Sequence, residues 1–198
     1  MKKVIVAFLA IFLAGCGSNR VVVKNYYLIE PITIEQSASD PLFEGRCEIS
    51  DVDVAAPFAG REIAIRDKSH SIKYYENHQW AVQANQAITA VINDNLSARN
   101  LFRQVGRRFW DGRPEYSLYT NVHQLEVIIK DKDFFAHLNI EFMLFDNKGD
   151  SVAVAHKANR ELRLPEKSLN LMAKSISEIL AEELNILSSK IEQQLENQ

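Results

Sequence analysis

The side chain with the most definite chemistry is the thiol of Cys16. Lys2 and Lys3 lead into an uncharged apolar run, Val4 to Leu13, and Leu13-Ala14-Gly15-Cys16 closes it. That run falls short of the about 20 residues a helix needs to cross a bilayer. A short apolar run ended by small residues marks a secretory signal that is cut off. A Cys at the cut reads as a lipobox, in which the thiol is acylated and the Cys becomes the new N-terminus. Several acyl chains on one residue hold a protein on a membrane durably, where a single chain holds it only marginally. The expected organisation is a signal peptide over 1–15, a lipidated tether over 16–25 and one folded domain over 26–198.

Other groups with reactive potential do not assemble into a catalytic pattern. There is no Gly-x-Ser-x-Gly, no phosphate-binding Gly-x-x-x-x-Gly-Lys, no His-Glu-x-x-His and no Cys-x-x-Cys. Ser69-His70-Ser71 has no carboxylate in evidence to orient the imidazole, so nucleophilic catalysis is unsupported. His123 and His137 fall on neighbouring expected strands but out of register, too far apart for one metal, and read as surface imidazoles. Asp51 and Asp53 share a strand face and read as a solvated edge. With Cys16 taken by lipid, Cys47 has no partner for an intramolecular disulfide and is expected to be a small buried residue. No catalytic residue, metal or cofactor is expected, and the chain is not read as an enzyme. One stretch stands out: Arg103, Arg107, Arg108 and Arg113 beside Phe102, Phe109 and Trp110. Guanidinium groups suit bidentate recognition of phosphate or carboxylate. A lipid headgroup or an acidic partner surface competes there with an ordinary charged loop whose aromatics fold inward.

The elements that must position these groups follow from periodicity. With 46% hydrophobic and 25% charged residues the chain is of ordinary globular composition. Loss of Lys2 and Lys3 would take the formal net charge from −3 to about −5, which argues against nucleic acid as a partner. Tyr26 to Glu30 reads as a short strand ended by Pro31, and Ile32 to Arg46 as a polar surface connection. Cys47 to Ala55 alternates as a strand. Glu62 to Arg66 and Ser71 to Tyr75 flank a polar turn and predict a hairpin. From His78 to Arg99, Trp80, Ala84, Ile88, Val91, Ile92 and Leu96 recur at helical spacing. Tyr116 to Lys130, Phe134 to Asp146 and Ser151 to Leu162 read as three strands in succession, the last with Val152, Val154 and Ala158 inward. Along the first of these the apolar positions change phase, from Leu118 and Val122 to Leu125, Val127 and Ile129. A β-bulge near His123-Gln124 would reconcile the two phases. Pro165 opens a long amphipathic helix over Glu166 to Glu196, expected to pack at its start and to be free for a partner at its end. The fold expected is α+β, a single domain with a mainly antiparallel sheet, two helices on one face and a long C-terminal helix.

These segments together resemble a known family. The lipobox, Tyr26-Tyr27-Leu28 soon after it, Ile72-Lys73-Tyr74-Tyr75 ending a strand-turn-strand, Trp80-Ala81 opening a helix that closes near Leu96 and Leu101-Phe102, Leu125-Glu126 in a later strand pair, a turn with Gly149 and a long last helix recur in that order. The set is similar to the ABC-type transport auxiliary lipoprotein family, the group containing paraquat-inducible protein C. One departure is Val82-Gln83-Ala84 after the Trp-Ala, where members often have Pro.

The resemblance implies a non-enzymatic accessory of an MCE-type envelope lipid-transport system. Its expected partners are an MCE-domain tunnel protein, the outer membrane through the N-terminal lipid, and phospholipid. Gly17 stands where Asp would be the usual inner-membrane retention signal, so resemblance to Gram-negative lipoproteins implies the periplasmic face of the outer membrane. The alternative is a lipoprotein activator or assembly factor for a cell-wall synthase or an outer-membrane protein. Partner contacts are expected at Tyr74, Tyr75 and Trp80, although aromatics at a strand-helix junction usually belong to a core. Arg103, Arg107 and Arg108 come next.

Overall fold

The structure is a computed structural model that describes residues 23–32, 40–68 and 70–196. The signal segment and Cys16 lie outside the described residues, so the lipobox remains an expectation from sequence.

The spine of the molecule is the long pair β7 (Tyr116–Lys130) and β8 (Asp133–Asp146), continued by β9 (Ser151–Arg163) as an antiparallel meander. Along β8, Leu138, Ile140, Phe142 and Leu144 are fully buried, as alternation requires of a strand with one core face. The expected bulge is there: Val122 pairs Ile140 and Gln124 pairs Asn139, leaving His123 as the extra residue. One inserted residue reverses side-chain parity. Leu118 and Val122 before it, and Leu125 and Val127 after it, therefore all reach the same core. Asp131 and Lys132 close the hairpin as a two-residue turn, both at positive φ (48° and 79°).

The other edge of β7 is shared by three short segments in turn, all parallel to it. β2 (Phe43–Ile49) takes Tyr116 to Leu118, β3 (Asp53–Val54) takes Asn121 and Val122, and β4 (Glu62–Lys68) takes Glu126 to Ile128. β4 continues antiparallel into β5 (Ser71–Trp80), which receives β1 (Asn25–Tyr27) in parallel; β2 receives β6 (Phe102–Gly106) in parallel. The sheet is thus mixed rather than purely antiparallel: the long β7–β8–β9 meander and the β4–β5 hairpin are antiparallel as expected, and the short pairings are parallel. Phe43 to Arg46, read as connection, begins β2.

Two helices cover the buried face. α1 (Ala84–Arg99) buries Ala84, Ile88, Val91, Ile92 and Leu96 and stops at Asn100, which takes the left-handed conformation (φ 55°) that ends helices. It starts six residues later than expected because the chain up to Ala81 stays in the sheet. The N–H of Trp80 donates to Arg61 O (2.7 Å) and that of Ala81 to Tyr27 O (2.7 Å). α2 (Leu169–Leu195) starts after Ser168, whose Oγ accepts from the N–H of Leu171 (3.3 Å), three residues beyond the expected start at Glu166. Its stripe is buried to the end: Leu187 and Ile191 are inaccessible and Leu195 is nearly so. The helix end expected to be free is packed on the sheet. Val152, expected inward, is half exposed because the β8–β9 register shifts between Leu144 and Phe145. Among the described residues no helix is long and apolar enough to cross a membrane.

Candidate partner-docking surface

Residues 107–115 join β6 to the start of β7 and carry the Arg-aromatic cluster. The β6 pairing on β2 brings this loop over Arg46, which acts as its clamp. Arg46 Nη1 donates to Asp111 Oδ1 (2.9 Å), Nη2 donates to the Arg113 carbonyl (3.1 Å), and the guanidinium lies 5.1 Å from the centre of the Phe109 ring. The N–H of Arg46 donates to Glu115 Oε2 at 2.8 Å; this bond, with the Arg46 charge, holds the Glu115 carboxyl below its ordinary range despite some burial. Glu48 accepts from the N–H of Phe109 (3.3 Å), and Asn147 donates to the carbonyls of Pro114 (3.0 Å) and Glu115 (2.8 Å). Gly112 lets the loop pass close to Arg46, since a Cβ there would stand 3.2 Å from Arg46 Nη2, whose guanidinium would have to give by a few tenths of an ångström.

The aromatics divide. Phe102 is buried and Phe109 is half-buried beneath Arg46, but Trp110 is 86% exposed, with the Arg108 guanidinium stacked on it at 5.0 Å. The expectation that all three fold inward fails at Trp110. Arg103 faces Glu44 (3.8 Å) and Arg107 pairs with Asp51. Among the described residues the exposed side chains of Arg108 and Arg113 meet no carboxylate. Trp110 and Arg113 lie in the stretch the sequence singles out, whereas Arg46, far away in the chain, could not be read from it.

The other sequence candidates scatter. Trp80 is 3% exposed and belongs to the core, which removes it from any contact surface. Tyr75 packs against the core with its ring edge-on to His78 (5.7 Å). Tyr74 keeps an exposed ring and donates its hydroxyl to Pro57 O (3.1 Å). These residues do not join the Arg46 loop in one surface. Cys47 is buried as expected, and burial, aided by the Glu48 charge, pushes its thiol up to about 12. Such a thiol is inert at neutral pH.

His137, expected at the surface, is buried: Nδ1 donates to Glu126 Oε1 (3.1 Å) and Nε2 lies 2.7 Å from Asn159 Oδ1. His123 does remain exposed, beside Glu141 (3.4 Å). A second buried imidazole ties α2 to β9: His156 Nε2 is 2.7 Å from Glu183 Oε2, and Arg160 reaches the same carboxylate. Among the described residues no cluster of His, Cys, Asp and Glu could hold a metal ion. A groove of about 620 Å³ runs between the chain at 26–32 and the first half of α2. Tyr26, Leu28 and Ile32 leave apolar surface open there, beside the Lys174–Glu178 pair (3.5 Å).

The family model of the ABC-type transport auxiliary lipoprotein component matches residues 26–185, nearly the whole described domain. The chain belongs to that family. Among solved structures it is similar to a DUF330 protein from Xanthomonas campestris, with a TM-score of 0.70 at 12% identity over 84% of this chain and 95% of that one. It is similar too to an uncharacterized protein, with a TM-score of 0.69 at 17% identity over 85% and 99%. A hypothetical protein from Chlamydia trachomatis has a TM-score of 0.51 at 7% identity over 76% and 97%. At these identities the likeness is one of fold. No curated protein sequence matches the chain. The family assigns an auxiliary lipoprotein of ABC-type transport.

Proposed function

We propose that the mature chain is anchored through acylated Cys16 to the periplasmic face of the outer membrane and serves as a non-enzymatic accessory of an MCE-type lipid-transport system. The observation that carries this reading is the match to a transport auxiliary lipoprotein over residues 26–185, directly behind a lipobox at Leu13 to Cys16. The half-open groove beside Tyr26, Leu28 and Ile32 supports it, because an amphiphile needs apolar lining next to polar groups. In this role the lipoprotein holds the outer-membrane end of a tunnel in place and assists lipid exchange there, with Tyr74 and the Arg103–Arg108 stretch among the surfaces open to a partner.

The test is purification of the lipidated protein from crosslinked envelopes, with partners identified by mass spectrometry. Recovery of an MCE-domain protein, lost in a Cys16→Ser strain, is the expected result. Recovery of a cell-wall synthase or an outer-membrane assembly factor in its place would overturn the transport reading.

A further inference from the structure

We propose that the loop at 107–115 is a preorganised docking tip for an acidic protein surface, set on the end of the molecule that faces away from the lipid anchor. The proposal rests on the accessory reading above and names the surface by which the tunnel protein is held.

A large indole left in water needs a reason. Trp80 is buried to 3% exposure, while Trp110 stays 86% exposed on a loop that is otherwise pinned on both sides. Arg46, Glu48 and Asn147 hold the backbone and the flanking side chains of that loop. The ordering cost of binding is therefore met before a partner arrives. Trp and Arg are the residues over-represented among those that dominate binding energy at protein interfaces.

Charge narrows the partner. Arg103 and Arg107 each face a carboxylate, Glu44 and Asp51, and Asp111 faces Arg46. Arg108 and Arg113 are left over on either side of the indole, in a chain of net charge −3. The complement is a surface with carboxylates around a recess for one aromatic ring, which also speeds the encounter.

Topology separates a protein surface from the anchoring bilayer. β1 runs parallel to β5, β5 antiparallel to β4, and β4 parallel to β7, so β1 runs opposite to β7. The chain from the anchor consequently enters from the Lys130 end of β7, whereas the loop precedes Tyr116 at the other end. From Tyr116 to Glu126, where β4 and its neighbours join, β7 runs about 33 Å. Residues 16–24 span at most about 30 Å when extended. Attachment at that end leaves the Trp110 tip free to face the periplasm.

The test uses the lipidated full-length protein in nanodiscs, labelled with 5-fluorotryptophan. Its indoles give two fluorine resonances, that of buried Trp80 serving as the internal reference. The probe is the unlabelled periplasmic part of the MCE-domain partner. The expected result is a saturable change at Trp110 with Trp80 unmoved. Trp110→Ala and the pair Arg108→Glu, Arg113→Glu should each weaken binding at least tenfold, with Trp80's resonance unchanged in both variants. Raising the salt should weaken binding of the parent. Partner binding with Trp110 unmoved would overturn the docking tip and leave the accessory role standing. No binding to the parent protein would overturn both. A change at Trp110 on vesicles containing phosphatidylglycerol, or on raising the protein's own concentration, would assign the tip to a membrane or to self-association and overturn the proposal.

Discussion

At the scale of single residues, the most consequential group outside the docking loop is Glu126. It is 1% exposed on the sheet face opposite the helices, where a polar side chain is ordinarily wet. Arg66 Nε donates to its Oε2 at 2.9 Å and His137 Nδ1 donates to Oε1. Burial pushes the carboxyl up, but the hydrogen bonds from His137 and Arg66 outweigh that, and Glu126 titrates below its ordinary range. Its contribution to stability is thus fully present above the unfolded carboxylate value of about 4.3. It is lost as pH falls through the lower folded value. Glu126→Gln strips the charge from a buried pair and should cost about 2–4 kcal/mol, toward the low side because Arg66 keeps contact with water. Urea unfolding across pH 3–7 checks both points. The variant should be the less stable at pH 7, and the gap should close toward pH 3. An unchanged gap would mean that Glu126 acts by shape alone.

At the scale of elements, the bulge shows what a sequence can and cannot reveal. The phase change from Leu118 and Val122 to Leu125 and Val127 is written in residue types, so His123 could be located from parity alone. The consequence is testable by deletion. Removing His123 forces one half of β7 to turn its apolar side chains to water, and no soluble folded protein is expected. His123→Ala, which keeps the count, should alter stability by about 0.5 kcal/mol or less, by thermal unfolding. The β7–β8 turn makes the converse case: Lys132 occupies φ 79° without being glycine. Lys132→Gly should stabilise by about 1 kcal/mol, because a side chain in the left-handed region costs about that much. Other features were hidden because they depend on distant partners. Trp80 and Ala84 are spaced as on a helix, yet the carbonyls of Arg61 and Tyr27 keep the chain at 80–81 in the sheet. β6 is five residues with two polar side chains, and only its parallel pairing on β2 makes it a strand. Parallel pairings leave no local trace such as a hairpin turn, which is why the parallel part of the sheet was not legible in the sequence. Trp110 is displayed by Arg46, a residue with no visible relation to it in the chain.

At the scale of the whole molecule, the proposed function depends on a short leash and a rigid body. Nine residues, Cys16 to Lys24, would separate the proposed lipid anchor from β1, and the domain between β1 and the Trp110 loop is a single sheet with one continuous core. The anchor and the docking tip are therefore held at a limited separation, and the membrane raises the effective concentration of the tip at a partner standing beneath it. Inserting about 20 Gly/Ser residues after Gly17 would dilute the tip as roughly the −3/2 power of tether length, so engagement should fall about sixfold. Cys16→Ser should release the protein from the membrane fraction and abolish engagement at native expression, although the domain still folds. In-cell crosslinking to the MCE-domain partner, normalised to protein level, reads both variants on one scale. The ordering expected is parent, then long tether, then Cys16→Ser. Equal crosslinking in all three would mean that affinity alone finds the partner and that the lipid anchor has no part in docking.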